Sequence, residues 1–413
     1  MNKRKLSLPA WIFIGMFAGI IAGLCFLKAP DFTTNYIKPI GTIYINLLKF
    51  LVVPVVLFSI ADGVISLQDI KRVGSVGLKT FIYYMFTTAL AVVIGLVVVN
   101  LVIAVKPDIF PALSGSELTG LAYEAKEAPS VMDVIVGIFP DSFFKPMVDA
   151  NMLPLIVISV LIGAGVLASG DKGAKIGEAI NCMSEVVMKI MMMVIKITPI
   201  GVFCLMTNVV AVNGPKIVGT LAIVILVAYV SYFLHIVLVY GSSVKFLSGM
   251  SPWAFAKGIA PAFITAFTTT SSNATLPVNT ECCNKMGAEP SISSFVLRLG
   301  ATINMDGTAI YQAVATVFIA ACYGVTLSIS DMAMVVLTAT LASVGTAGVS
   351  GAGMIMLAMV LETVGLPEEG IAIIAGVDKI FDMGRTALNI TGDATCAIWV
   401  SKLEQKKAAK AAK

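Results

Sequence analysis

The sequence is short of charged residues and has almost no histidine. Only 13% of its 413 residues are Asp, Glu, Lys or Arg, and His235 is the single histidine. Soluble domains carry about 25% charged residues, so this deficit argues against an ordinary soluble domain. Apolar residues take the place of charge: 58% of the chain is hydrophobic, and the mean hydropathy is +0.95. These proportions predict a membrane protein, and a net charge of only +4 gives no indication of nucleic acid as a partner.

Motifs of common enzyme and metal sites are also missing. The seven cysteines are scattered without the paired spacing of a metal site, and we interpret them as small packing residues. We interpret His235 as a helix-packing residue rather than a proton relay. The chain has no Gly-x-Ser-x-Gly segment, and an enzyme is not expected. Residues 6–27 lack a clear cleavage site, so we expect a retained first helix rather than a signal peptide.

Long apolar runs are abundant. They lie at roughly 8–27, 37–65, 78–104, 134–169, 176–212, 216–242, 253–284, 291–322, 328–364 and 370–401. A straight membrane span needs about 20 residues, and several runs are longer. We therefore expect tilted, broken or re-entrant helices.

Basic residues indicate the orientation of these runs. They cluster before the first run, after the second, fourth and sixth runs, and at the C-terminus. The positive-inside rule then places both termini in the cytoplasm of a multi-pass cell-membrane protein. Runs 253–284 and 328–364 begin and end on the same side in this scheme. The prediction is an all-α polytopic membrane protein with eight transmembrane helices plus two re-entrant helical hairpins.

The two hairpins have centres rich in small polar residues, at 268–277 (TTTSSNATLP) and 343–353 (SVGTAGVSGAG). Non-helical backbone at membrane depth persists only where protein or a water-filled cavity surrounds it. A pair of interrupted segments of this kind points to the binding site of a transporter. The alternative is ordinary packing of helices through small residues.

The last apolar run contains five ionisable residues, which are Asp378, Lys379, Asp382, Arg385 and Asp393. At about 100° per residue, Asp378, Asp382, Arg385, Asn389 and Asp393 form a stripe about 80° wide. Each ionised group at mid-bilayer costs about 2.5–3.5 kcal/mol, so the stripe is expected to face protein, water or a ligand. The planar fork of Arg385 suits a carboxylate and Asp382 suits an ammonium, which together match an amino acid. The alternative is a self-neutralising structural network, with Asp382 paired to Arg385.

A second polar cluster lies in residues 300–308 (GATINMDGT). Asn304 and Asp306 are two residues apart, so a regular helix would point them to opposite sides. If both serve one pocket, the helix is broken there, and the freed carbonyl oxygens suit a hard cation. Asp306 and Asp393 are the expected anionic ligands. The alternative is a glycine-kinked helix with a buried Asp–Asn pair.

Segments 304–308 (NMDGT), 345–353 (GTAGVSGAG) and 382–393 (DMGRTALNITGD) resemble the glutamate transporter family, the sodium-coupled symporters of acidic amino acids. The resemblance covers essentially the whole chain. It implies inverted repeats, a homotrimer in membrane lipid and an elevator-type movement. The implied domains are a scaffold at 1–77 and 111–213, a mobile transport domain at 78–110 and 214–402, and a basic cytoplasmic tail at 403–413.

The family's binding residues carry over to positions of this chain. The resemblance implies that Arg385 holds the side-chain carboxylate of the substrate and that Asp382 holds its amine. The rest of the implied substrate pocket is Asn389, Thr386, Thr308, Ser272, Val349 and Gly353. Three implied sodium sites comprise, first, Asp393, Asn304, Gly300 and Asn389; second, Thr302, Met305, Ser343, Val344 and Thr346; and third, Tyr84, Thr87, Thr88, Asn304 and Asp306.

Several residues bear on specificity within the family. Asp382 favours a substrate with an amine, Asp393 favours sodium over protons, and Arg385 favours an acidic side chain. Other members of the family carry an arginine at the position of Thr270 or at that of Met383, and this sequence has no arginine at either position. We hypothesise that Arg298 balances the acidic cluster instead. The alternatives are a C4-dicarboxylate or neutral amino acid symporter of the same family, or an anion-conducting channel.

Overall fold

The computed structural model describes residues 8–66, 75–110, 136–137, 139–148, 152–343 and 352–411. These residues form helices and connecting turns, with no β-strand among them. We number the main helices in chain order: α1 (Leu8–Cys25), α2 (Lys38–Ser66), α3 (Ser75–Val105), α4 (Met152–Ala168), α5 (Asp171–Lys196), α6 (Thr198–Asn213), α7 (Lys216–His235), α8 (Pro252–Thr269), α9 (Ser272–Lys285), α10 (Pro290–Ile303), α11 (Asp306–Cys322), α12 (Ile329–Ser343), α13 (Ala352–Thr363), α14 (Ile371–Ala375) and α15 (Asp378–Ala411).

The apolar runs form helices because a helix satisfies its own backbone hydrogen bonds, and the bilayer core has no water to satisfy them otherwise. Within the described parts of the chain, three helical segments are long and apolar enough to cross a membrane: Val76–Val105, Lys216–Ser248 and Pro290–Cys322. The pair α5–α6, bent by 50°, makes a fourth if it is one span. Shorter apolar helices lie at Ala10–Cys25, Val53–Ile65, Val157–Ala168 and Ile329–Ser343. The all-helical prediction is confirmed, whereas the eight crossings, the two re-entrant hairpins, the inverted repeats and the orientation of the termini stay predictions.

Both predicted hairpins contain paired helices. In the first, α8 and α9 pack against each other and are joined at Thr270, whose φ of 52° and ψ of 37° lie in the left-handed region. Ser271 then caps α9 by accepting a hydrogen bond from the backbone N–H of Ala274 at 3.3 Å. In the second, α12 and α13 pack together, and the sequence between them, 344–351, lies outside the described residues.

The expected break in run 291–322 is present. Helix α10 ends at Ile303 and α11 begins at Asp306. Asn304 is extended, with φ −88° and ψ 95°, and Met305 has φ −121° and ψ 41°. Since neither residue continues the helix, the side chains on the two sides of the break are free to reach one pocket.

Helix α15 is the element on which the site is built. It packs against both arms of the first hairpin and against α10 and α11. Its apolar face includes Phe381 and Leu388, which are fully buried. The helix continues through residues 403–411, which the sequence predicts to be a basic tail. Near this end Glu404 bonds to Lys79 of α3.

Helix α1 approaches α6 closely through glycines spaced four residues apart. A Cβ on Gly15, Gly19 or Gly23 would lie 2.4, 2.7 or 2.6 Å from the nearest atom, and each of those atoms belongs to α6. Such close approach of backbones is typical of small-residue interfaces in membranes. This motif is not among the features predicted from the sequence.

Candidate substrate and cation site

The polar stripe of α15 is buried along its length. Asp378, Asp382, Arg385, Asn389 and Asp393 have exposed fractions of 2–6%. The stripe faces the hairpin and the broken helix rather than the outside of the molecule, because α8, α10 and α11 pack against α15. Charged and polar side chains are therefore buried together in the interior of an apolar protein.

Arg385 is held by two carboxylates and an aromatic ring. Its Nε donates to Oδ1 of Asp382 at 2.9 Å, and its Nη1 and Nη2 donate to Asp378 at 3.0 and 3.4 Å. The guanidinium carbon lies 4.9 Å from the centre of the Tyr311 ring, within cation–π range. The pairing of Asp382 with Arg385 that the structural-network alternative expects is thus present. Nη2 also lies 2.9 Å from Oδ1 of Asp382, so the two carboxylates engage all three nitrogens of the guanidinium.

Lys379 is a site residue to which the sequence analysis gave no role. Its buried ammonium lies 3.3 Å from Oδ2 of Asp382 and also donates to the hydroxyl of Thr270 at the hairpin tip. Its spacing of three residues from Asp382 could have indicated this pairing, because residues three apart are neighbours on a helix. Arg298, in contrast, is exposed on α10. The hypothesis that Arg298 balances the acidic cluster is therefore wrong, and Lys379 provides that charge.

The other predicted substrate residues lie around this cluster. Ser272 begins α9, Thr308 lies in the first turn of α11 and Thr386 follows Arg385, and all three are buried. A Cβ on Gly353 would lie 2.6 Å from Nη1 of Arg385, so the second hairpin reaches the guanidinium. Val349 lies outside the described residues.

Residues of the first predicted sodium site meet at the helix break. Asn304 Nδ2 donates to Oδ1 of Asp393 at 2.8 Å and to the backbone oxygen of Asn389 at 2.9 Å. Gly300 lies against Asp393, since its Cβ would be 2.3 Å from the carboxylate oxygen. Oδ1 of Asn304 is buried and has no hydrogen-bond partner among the described residues. Buried polar atoms are normally paired, and an unpaired buried amide oxygen suits a hard cation.

Asp306, assigned to the third predicted sodium site, has three side-chain donors. Thr88 bonds to its Oδ1 at 2.6 Å, and Tyr240 and His235 bond to its Oδ2 at 2.7 and 3.1 Å. Thr88 was predicted at this site, whereas Tyr240 and His235 were missed. His235 is buried, as expected of a packing residue, yet it packs against the polar cluster and its Nδ1 has no partner in the part of the chain described.

The remaining predicted sodium ligands are less closely connected. Tyr84 donates to the backbone oxygen of Val296 at 3.1 Å, and Thr87 donates to that of Tyr84 at 3.2 Å. In the second predicted site, Thr302 and Ser343 each bond to a carbonyl of their own helix, at 3.0 and 2.7 Å. Met305 is buried and its sulfur lies 3.2 Å from Nδ2 of Asn389. Val344 and Thr346 lie outside the described residues.

Paired charges buried between a broken helix and a hairpin tip are typical of solute carriers. The comparison with known families agrees: the model of the sodium:dicarboxylate symporter family matches residues 8–403. The chain belongs to this family, and its homologues are transporters, not enzymes.

Individual relatives cover nearly the whole chain. The proton/sodium-glutamate symport protein of Geobacillus stearothermophilus is 35% identical over 403 residues, covering 97% of this chain and 95% of the relative. The proton/glutamate-aspartate symporter of Escherichia coli (strain K12) is 33% identical, covering 98% and 95%. The C4-dicarboxylate transport protein of Bacillus subtilis (strain 168) is 31% identical, covering 98% and 95%.

Proposed function

We propose that the protein is a secondary active symporter that takes up aspartate or glutamate together with sodium. The observation that carries this proposal is the buried juxtaposition of Arg385 and Asp382 on α15. A planar guanidinium recognises a carboxylate through paired hydrogen bonds, and Asp382 one turn earlier recognises an ammonium. Relatives named for glutamate and aspartate support this substrate class.

Sodium is proposed as the coupling ion because of the oxygen atoms at the helix break. Asn304 Oδ1 is unpaired within the described chain, and Asp393 and the Asn389 carbonyl both bond to the same Asn304 side chain. With the Asn304 amide turned so that Oδ1 replaces Nδ2 beside Asp393, a cation bound by these oxygens would neutralise Asp393 and satisfy the amide oxygen. Asp306, with Thr88 beside it, is proposed as the anionic ligand of a second ion.

The rest of the binding residues are proposed from the family resemblance. Ser272, Thr308, Thr386, Asn389, Val349 and Gly353 would complete the substrate pocket. Gly300, Thr302, Met305, Ser343, Val344, Thr346, Tyr84 and Thr87 would complete the sodium sites. Assembly as a homotrimer in the cell membrane, an elevator-type movement and cytoplasmic termini belong to the same proposal.

A C4-dicarboxylate is the second candidate substrate. It is supported by the relative in Bacillus subtilis and by Lys379, which already supplies an ammonium to Asp382. A neutral amino acid is less well matched to this site, since it would leave Arg385 without a substrate carboxylate from the side chain.

Uptake into liposomes tests the proposal. Purified protein is reconstituted, and accumulation of labelled aspartate, glutamate and succinate is measured with the sodium and pH gradients imposed separately. We expect saturable, sodium-dependent accumulation of an acidic amino acid against its gradient. Accumulation driven only by the pH gradient would contradict sodium coupling, and passive flux without accumulation would indicate a channel.

A further inference from the structure

Lys379 occupies the position that the proposed function gives to the ammonium of the substrate. Its Nζ lies 3.3 Å from Oδ2 of Asp382, and Arg385 Nε lies 2.9 Å from Oδ1 of the same carboxylate. Both oxygens of Asp382 are therefore bonded to cations in the protein alone. The ammonium of an amino acid and the ammonium of Lys379 have the same charge and the same three donors, so they compete for one carboxylate.

We propose that Lys379 is a specificity-determining residue, which stands in for the amine of the substrate and allows the site to bind C4-dicarboxylates as well as acidic amino acids. A ligand without an amine leaves Asp382 paired to Lys379, whereas an amino acid displaces or shares that ammonium. This inference rests on the proposed function and extends its substrate class. It also removes the sequence-based argument that Asp382 alone selects for an amine.

The charge of the cluster leads to the same conclusion. Asp378 and Asp382 balance Lys379 and Arg385, so the four groups sum to zero. Without Lys379 the cluster carries one negative charge. A dicarboxylate brings two negative charges and an acidic amino acid brings one net, and hence loss of Lys379 disfavours the dicarboxylate more strongly.

The position of Lys379 is fixed from the hairpin side. Its ammonium donates to the hydroxyl of Thr270, the left-handed residue that joins α8 to α9. A long lysine side chain loses conformational entropy when it becomes ordered. The bond to Thr270 nevertheless holds its ammonium beside Asp382. Charge and placement together make Lys379 a partner of Asp382 rather than a lysine that snorkels to the membrane surface.

The test compares two ligands that differ only in the amine. The dissociation constants Kd of L-aspartate and succinate are measured at saturating sodium in the wild type and in Lys379→Met. We expect the ratio of the succinate Kd to the aspartate Kd to rise by about tenfold or more. Without Lys379, the buried carboxylate of Asp382 lacks its ammonium partner when succinate is bound, whereas aspartate supplies an ammonium of its own. Lys379→Arg, which retains the charge, is expected to keep a ratio near that of the wild type.

Lys79→Met is the matched control, because Lys79 also pairs with a carboxylate, Glu404, away from the site. It is expected to leave the ratio unchanged. If Lys379→Met fails to fold, Lys379→Gln removes the same charge while keeping a polar side chain at this position. An unchanged ratio in a folded charge-removing variant, or an equal loss for both ligands, overturns the inference. A wild type that binds neither ligand would instead overturn the proposed function.

Discussion

Arg385 is in contact with both charged and aromatic groups. Two carboxylates accept its hydrogen bonds, and the Tyr311 ring lies beside its carbon. We expect Arg385→Ala to weaken aspartate binding by at least about thirtyfold, because removing one partner of a buried charged pair costs about 2–5 kcal/mol. Calorimetric titration of aspartate at saturating sodium measures this loss.

Arg385→Lys is the companion variant. It retains the charge but lacks the planar fork, and substitutions at bidentate sites are not conservative. We expect an intermediate loss of aspartate binding. Binding of aspartate by Arg385→Ala with the wild-type affinity would remove the residue from the substrate site.

Gly300 tests the sodium site without removing any ligand side chain. A Cβ at this position would lie 2.3 Å from Oδ1 of Asp393 and 2.7 Å from the hydroxyl of Tyr84. We expect Gly300→Ala to displace the Asp393 carboxylate and to reduce sodium affinity by about tenfold or more, the effect of losing about 1.4 kcal/mol. The measurement is the shift of the unfolding temperature with sodium concentration, which reports binding to the folded state.

Gly219→Ala is its control, because Gly219 lies in α7 and an added Cβ there would have no atom of the described residues within 4 Å. Alanine is favoured over glycine in a helix by about 0.5–1 kcal/mol, so this variant should be no less stable and should respond normally to sodium. An equal sodium response in both variants would argue against the Asp393 site.

Much of the chemistry at the residue scale follows from the sequence, and some of it does not. The stripe on α15 is predictable because 100° per residue places Asp378 and Asp393 on one face. The bonds from Tyr240 and His235 to Asp306 are not, since 66 and 71 residues separate the partners. Nothing in a single sequence indicates which distant side chain crosses to which carboxylate.

At the scale of helices, the interface between α1 and α6 depends on the absence of side chains. We expect Gly19→Val to destabilise the protein by about 1–3 kcal/mol, the usual cost of inserting atoms into a packed interface. Its Cβ alone would lie 2.7 Å from the carbonyl oxygen of Phe203 and 3.0 Å from Cβ of Met206. Thermal unfolding in detergent provides the measurement.

Gly165→Ala in α4 is the appropriate comparison, because none of the described residues has an atom within 4 Å of the added carbon. It should unfold at or above the wild-type temperature. A Gly19→Val protein of wild-type stability would show that α1 can move away from α6 at little cost.

Helix positions follow from the sequence better than helix breaks do. The apolar run 78–104 corresponds to Ser75–Val105, because its ends are set by where apolar residues stop. The run 176–212 instead divides into α5 and α6 with a bend of 50°. Pro199 lies in the first turn of the second helix, where proline is common, but hydropathy alone does not report the bend.

For the whole molecule, coupling requires that each ligand change the affinity of the other. Linkage makes the two changes equal. We expect sodium to raise aspartate affinity by about 5–150-fold, the range of typical coupling free energies, and aspartate to raise sodium affinity by the same factor. Titrations of each ligand with and without the other measure both factors.

Potassium at the same ionic strength serves as the reference condition, since added salt also screens the exposed charges. Aspartate affinity that responds equally to sodium and potassium would contradict specific coupling. Unequal factors in the two directions would show that the titrations were not at equilibrium, because linkage forbids such a result.

The interruption between α10 and α11 brings two opposite helix ends together. The carboxyl end of α10 presents carbonyl groups with partial negative charge, and the amino end of α11 presents N–H groups with partial positive charge. Gly307 N–H already donates to Oδ1 of Asn389 at 2.7 Å. One short stretch of extended backbone thus creates a field of each sign at a single point in the fold. A substitution that let α10 and α11 form one continuous helix would weaken the attraction for cations and for anions together. The affinities of this point in the fold for cations and for anions are therefore linked.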